Sequence, residues 1–190
     1  MKTKKTLTMA ALALACALGA AGTAQADTRL TPFAGVTFGG DAPATKFNAG
    51  LGITFMGKIA GFEVDFGYTP DFFNEDPDFD LVGDSNVTTL FGNLVIGAKE
   101  GPVQPYGVFG VGLLRSRVTS AGNLFDDITT NDIGLSIGGG VNAMMSHNVG
   151  LRGDIRYFRS LQDNQADNDV DISISKFGFW RATAGVTFKF

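Results

Sequence analysis

The chain has 190 residues, a net charge of −4, a single cysteine, and unusually many glycines (26) and phenylalanines (17). An acidic chain with no basic run has nothing to offer nucleic acid, and one cysteine excludes an internal disulfide framework. No segment beyond Ala26 is long and apolar enough for a transmembrane helix, yet charged residues make up only 18%, below the ~25% of typical soluble domains.

The first element is a leader. Lys2, Lys4 and Lys5 precede an apolar run from Leu7 to about Ala21, and Ala24-Gln25-Ala26 forms a small-x-small cleavage site before Asp27. This pattern predicts a secretory signal peptide over 1–26, cut after Ala26, and a single mature domain over 27–190. Cys16 lies inside the apolar run, and Ala13 stands where lipidation sites usually carry leucine. Cys16 therefore reads as a small apolar residue of the leader, and the mature chain has no thiol. Loss of the three leader lysines makes the remainder more acidic still.

From Leu30 onward the pattern changes to period two, the spacing of strands. Strand one sets Leu30, Pro32, Ala34, Val36 and Phe38 against Thr31, Phe33, Gly35, Thr37 and Gly39. Strand two sets Phe47, Ala49, Leu51, Ile53 and Phe55 against Asn48, Gly50, Gly52, Thr54 and Met56; strand three sets Phe62, Val64, Phe66 and Tyr68 against Gly61, Glu63, Asp65 and Gly67. Further strands are predicted over about 87–99, 104–118, 132–146, 149–161 and 176–190. In the sixth, Ile133, Leu135, Ile137, Val141 and Ala143 oppose Gly134, Ser136, Gly138 and Asn142. In the last, Trp180, Ala182, Ala184, Val186, Phe188 and Phe190 oppose Phe179, Arg181, Thr183, Thr187 and Lys189.

Each strand is about as long as a tilted strand must be to cross a bilayer. The second face is rich in Gly, Ser and Thr with a few charges, which suits a narrow interior better than a solvated surface. Links after strands two, four and six are tight (Gly57-Lys58, Glu100-Gly101-Pro102, His147-Asn148), whereas those at about 40–46, 70–86, 119–131 and 162–175 are longer. Short periplasmic turns and long extracellular loops characterise outer-membrane barrels. The expected fold is all-β: an eight-stranded antiparallel up-and-down transmembrane β-barrel in the cell outer membrane.

Four segments carry a family resemblance. They are the C-terminal Thr183-Ala184-Gly185-Val186-Thr187-Phe188-Lys189-Phe190; Pro105-Tyr106-Gly107-Val108-Phe109-Gly110-Val111-Gly112; Gly150-Leu151-Arg152-Gly153-Asp154-Ile155-Arg156-Tyr157; and Asn93, at a place where an inward amide is common. With them the mature chain resembles the small OmpA/OmpX-type eight-stranded barrels of the outer-membrane β-barrel domain group, the "porin family". The resemblance implies that Thr183, Gly185, Val186, Phe188 and Phe190 form the signal read by the barrel-assembly machinery. The surroundings it implies are outer-membrane lipid and lipopolysaccharide. Nothing after Phe190 matches the periplasmic domain of the longer members, so cell-wall anchoring is not expected.

Inward parity gathers three acids, Glu63, Asp65 and Asp154, and three bases, Arg152, Arg156 and Arg181. An eight-stranded interior is just filled by its side chains, and buried charges must pair, so an ion-paired plug is expected; a gated ion path is the alternative. Acids also crowd the long connections: Asp76, Asp78 and Asp80 with Asp71, Glu75 and Asp84, then Asp126, Asp127 and Asp132, then Asp163, Asp167, Asp169 and Asp171. Carboxylates are hard ligands for Ca²⁺ or Mg²⁺, but the Asp76-x-Asp78-x-Asp80 spacing lacks the glycine and distal glutamate of an EF-hand. A solvated acidic face is the first expectation, with Asp76, Asp78 and Asp80 as weak divalent candidates.

Phe72, Phe73 and Phe79 are expected in an adhesive loop patch or in the interfacial belt with Tyr68, Tyr157 and Trp180. Arg115 and Arg117 are placed at the outer rim, able to snorkel. His147, the lone histidine, falls in a periplasmic turn, far from outer-leaflet lipid, so a lipid-modifying enzyme lacks a base. The sequence thus predicts a monomeric, non-enzymatic barrel without a cofactor, structural or adhesive in role. A narrow channel ranks second and a lipid-modifying enzyme third.

Overall fold

The computed structural model describes residues 27–72, 82–98, 101–120, 128–161 and 177–190. They form β1 (Asp27–Phe38), β2 (Lys46–Met56), β3 (Ala60–Pro70), β4 (Val82–Gly97), β5 (Val103–Ser120), β6 (Ile128–Met144), β7 (Val149–Ser160) and β8 (Gly178–Lys189). Each strand pairs antiparallel with its neighbour in sequence, and β8 returns to β1 to close the barrel. The closing seam runs from Arg29 opposite Lys189 to Phe38 opposite Trp180. Closure answers the demand of the hydrocarbon core, where every backbone N–H and C=O must find a partner within the protein.

The period-two pattern fixes the faces. Phe47, Leu94, Phe109, Ile137, Leu151 and Trp180 point outward and are well exposed, whereas Thr31, Thr54, Glu63, Asn93, Ser136 and Arg181 are buried inside. Apolar outside and polar inside inverts the rule for soluble proteins and identifies lipid as the outer solvent. Tyr68 and Trp180 lie on the outer surface, and Trp180 packs on Tyr157 with ring centroids 5.0 Å apart. Arg115 and Arg117 project from the outer face of β5 towards its extracellular end.

The strands reach further than the alternation predicts at the extracellular side. β4 begins at Val82 rather than near 87, β6 at Ile128 rather than 132, and β5 runs on to Ser120. Asp84 and Asp132, expected in loops, therefore lie in strands. The physical reason is that ladder pairing, such as Asn86 with Arg117 and Arg117 with Thr129, continues in water, where no lipid enforces an apolar face. Hydrophobic alternation marks only the embedded portion of a strand.

The interior also departs from the expected Gly/Ser/Thr lining. Its extracellular end holds an apolar cluster of Phe72, Val87, Phe91, Leu114, Phe158 and Phe179, with Ala42 and Phe177 packed against it. Phe72 corrects the loop-tip expectation: it is completely buried, edge-on to Phe177 and Phe179 at centroid distances of 5.5 and 5.4 Å. The cause is local. Asp71, just after Pro70, takes a left-handed backbone conformation (φ 50°), which aspartate tolerates, and the next side chain, Phe72, packs into the cluster. Phe73 and Phe79 lie outside the described residues.

Candidate functional site: the charged barrel interior

The site is built from three strands whose inward parity carries charge. β3 contributes Glu63 and Asp65, β7 contributes Arg152, Asp154 and Arg156, and β8 contributes Arg181. β7 and β8 are neighbours, with Arg156 directly opposite Arg181, while β3 lies across the lumen. Long arginine side chains span the gap to the carboxylates. Glycine makes room for them: at Gly67 a Cβ would run into the Arg181 guanidinium and the Thr89 hydroxyl, and at Gly110 into the Asn93 amide.

All six predicted charges meet. Glu63 Oε2 receives Arg152 Nη1 at 2.6 Å and Glu63 Oε1 receives Arg156 Nη1 at 2.8 Å. Thr54 Oγ1 donates to Glu63 Oε2 at 3.0 Å and Asn93 Nδ2 to Glu63 Oε1 at 3.2 Å. Asp154 Oδ2 lies 3.0 Å from Arg152 Nη2 and 2.9 Å from Arg156 Nη2; Thr183 Oγ1 donates to Asp154 Oδ1 at 3.0 Å. Asp65 joins the third base to the group, 3.4 Å from Arg156 Nη1 and 2.6 Å from Arg181 Nη2. Glu63, Asp65, Arg156 and Arg181 are each no more than 1% exposed, so none of these charges is screened by bulk water.

A second set of contacts joins this ionic layer to its neighbours. Arg181 stacks its guanidinium on Phe33 (4.9 Å) and on Phe158 (4.6 Å), linking it to the aromatic layer above. Tyr106 does the same below: its hydroxyl donates to Asp154 Oδ2 at 2.8 Å and accepts from Arg152 Nε at 2.7 Å. Asn93, singled out in the sequence, also accepts from Ser136 Oγ at 2.6 Å. Sequence reasoning gave Tyr106, Thr54 and Ser136 no role in the site. Parity was the available signal, but β5 carries apolar residues on both faces, and Val108 and Tyr106 do not stand out from Phe109 and Val111.

Arg29 was missed altogether. It faces inward at the end where the short turns lie, is 4% exposed, and has Nη2 4.0 Å from Asp27 Oδ2. The residues expected to form an assembly signal divide between the two faces: Thr183 and Gly185 point in, Gly185 packing on Phe33, while Val186, Phe188 and Phe190 point out. The Phe190 backbone N–H donates to the Thr28 carbonyl at 2.9 Å, completing the seam. His147 lies exposed in the 145–148 turn, beside Asn148, whose amide donates to the Lys189 carbonyl at 2.9 Å. Asp76, Asp78 and Asp80 lie outside the described residues, as do residues 1–26, where a leader is expected.

The profile of the outer membrane protein beta-barrel domain family matches residues 7–188. The chain belongs to this family. Its members' home, the outer membrane, is the location of this barrel as well. Among solved structures it is similar to Neisserial surface protein A (19% identity over 86% of this chain and 97% of that one, TM-score 0.64). It is also similar to the N-terminal barrel domain of Pseudomonas aeruginosa OprF (16%, 87% and 98%, TM-score 0.57). A third is Ail, the attachment invasion locus protein of Yersinia pestis, solved with the heparin analogue sucrose octasulfate (18%, 86% and 97%, TM-score 0.52). At these identities the likeness shows the family's fold alone. No curated protein matches the chain.

Proposed function

We propose that this is a non-enzymatic, monomeric outer-membrane barrel, closed to solutes by its own side chains, that serves the envelope structurally or by presenting acidic extracellular connections. The observation that carries this reading is the six-charge network. An ion path needs charges that a passing ion can displace. Here each carboxylate is held by two guanidiniums at once. An eight-stranded interior is just wide enough for such side chains, and a buried aromatic cluster lies above them.

Planar-bilayer recording tests it. The refolded barrel should give no steady conductance, and Arg152→Ala with Arg156→Ala should be the change that produces one. Reproducible wild-type conductance altered by that pair of substitutions would make the network a gate and the protein a narrow channel.

The acidic connections bear on what the exterior meets. Segment 71–81 has five acids and no base in its sequence, Asp-Phe-Phe-Asn-Glu-Asp-Pro-Asp-Phe-Asp-Leu. A polysulfate of the kind bound by Ail would be repelled by such a segment, so basic or cation-bridged surfaces, lipopolysaccharide phosphates with Ca²⁺ or Mg²⁺ among them, are the fitting partners.

The C-terminal signal has its own test. Phe190 is 78% exposed, so Phe190→Ser should leave the urea midpoint of the refolded barrel unchanged. In cells the same substitution should lower the amount of assembled, heat-modifiable barrel severalfold, because on this reading it removes an aromatic of the segment that the assembly machinery recognises. Equal loss in both measurements would assign Phe190 to folding rather than recognition.

A further inference from the structure

The lipid-facing surface carries charge in one sector. Arg115 and Arg117 on β5 and Arg159 on β7 point outward and are exposed, with only β6 between the two strands. No acid among the described side chains shares their outward parity, although the chain as a whole is acidic. None of the three forms an ion pair with another described residue. Their cross-strand neighbours are uncharged: Arg115 lies opposite Thr88 and Asn131, Arg117 opposite Asn86 and Thr129, and Arg159 opposite Leu135 and Gly178.

The depth of the sector follows from what lies beneath it. On β5 the outward residues below Arg115 are Phe109, Val111 and Leu113, each more than half exposed, which is a run made for hydrocarbon. On β7, Arg159 comes two residues beyond Tyr157 on the same face, and Tyr157 packs on Trp180. Such aromatics mark the boundary between acyl chains and headgroups, so guanidiniums just beyond them stand among headgroups. Spacing then limits the guest. Arg115 and Arg117 alternate on one strand, about 7 Å apart. Two strand spacings and the four-residue step from Asn131 to Leu135 on β6 put Arg159 about 16 Å from Arg115 along the sheet. A single phosphate meets one side of this arrangement; a headgroup with two separated phosphates meets both.

We propose that the outer face of β5–β7, at its extracellular end, docks a lipid headgroup bearing two phosphates, the lipid A part of lipopolysaccharide. Arg115 and Arg117 hold one phosphate and Arg159 the other, since guanidinium pairs with phosphate through two parallel hydrogen bonds. The surface requires only the outer-membrane location, not a closed interior, and it works without the divalent cation that the acidic connections need.

The test is titration of lipid A into the barrel refolded in a neutral detergent with EDTA present. Emission of Trp180, one strand away from Arg159, reads binding, and heat-modifiable gel mobility checks the folding of each variant. Wild type should bind saturably, severalfold more weakly when one phosphate is removed from the lipid, and about tenfold more weakly or less when both are. Arg159→Gln, and Arg115→Gln with Arg117→Gln, should each weaken binding severalfold, and all three together should match the dephosphorylated lipid. Equal affinity of wild type for the three lipids, or unchanged affinity in the folded triple variant, would overturn the proposal. Equal affinity for the one- and two-phosphate lipids alone would overturn the two-phosphate arrangement. Binding that appears only with Ca²⁺ or Mg²⁺ would assign the lipid to the acidic connections instead, and saturation by inorganic phosphate at the same concentration would rule out a lipid guest. Should the triple variant fail to fold, wild type against the three lipids decides.

Discussion

Replacing Glu63 by alanine will destabilise the refolded barrel by about 3–5 kcal/mol, the usual cost of removing one member of a buried ion pair. The cost arises because two buried guanidiniums, Arg152 and Arg156, lose a shared anion. Arg152 Nη1 and Arg156 Nη1 stand 2.6 and 2.8 Å from the Glu63 oxygens, and Thr54 and Asn93 lose their acceptor as well. Urea unfolding followed by the fluorescence of Trp180, the single tryptophan, measures it. A loss below about 1 kcal/mol, the range of exposed pairs, would mean that water enters the layer and that the interior is not closed.

The same reasoning limits what the network says about stability. A buried pair replaced whole by apolar residues of similar volume is often neutral or stabilising. Glu63→Leu combined with Arg156→Leu should therefore recover part of the Glu63→Leu loss, although Asp65 and Asp154 would each lose a partner. A double-mutant cycle over these positions should give a coupling of about 0.5–3 kcal/mol, the range for residues in one network. On the proposed reading the layer serves to close the barrel rather than as its main source of stability.

How much of this was legible in the sequence depends on which solvent wrote the pattern. Lipid writes a strong one: Phe47 to Phe55 and Trp180 to Phe190 alternate cleanly because every second residue faces hydrocarbon, and strand number, order and faces follow from that alone. Parity then places Glu63, Asp65, Arg152, Asp154, Arg156 and Arg181 on the inner face, where the structure finds them. Which charges touch which was not legible, since contacts across the lumen depend on strand stagger, a property of the closed sheet. Arg29 was overlooked because Asp27-Thr28-Arg29 precedes the first clean alternation and reads as a polar linker. The extracellular strand ends were missed for the converse reason, as no lipid marks them. Phe72 was misread because a phenylalanine among acids looks like a loop tip; only the left-handed turn at Asp71 sends it inward.

That inward turn makes Phe72 the second position where a single truncation should cost most. Phe72→Ala is expected to destabilise by about 3–5 kcal/mol, the range for a buried phenylalanine reduced to alanine, as read by the same urea unfolding. The ring is enclosed by Phe177, Phe179 and the rest of the cluster, and the pleated walls of a closed sheet have little freedom to collapse into the space it leaves. A cost under about 1 kcal/mol would place the ring in solution and restore the adhesive-loop reading. Conductance should not appear in this variant, because the ionic layer beneath remains paired. Arg181 links the two layers, stacking on Phe158 while holding Asp65. Glu63 lies in the ionic layer and Phe72 in the aromatic cluster, so the effects of Glu63→Ala and Phe72→Ala should add to within about 0.5 kcal/mol. A larger departure would show that Arg181 transmits packing at the extracellular mouth to the charges at the centre, and the barrel would then close as one unit rather than as two independent layers.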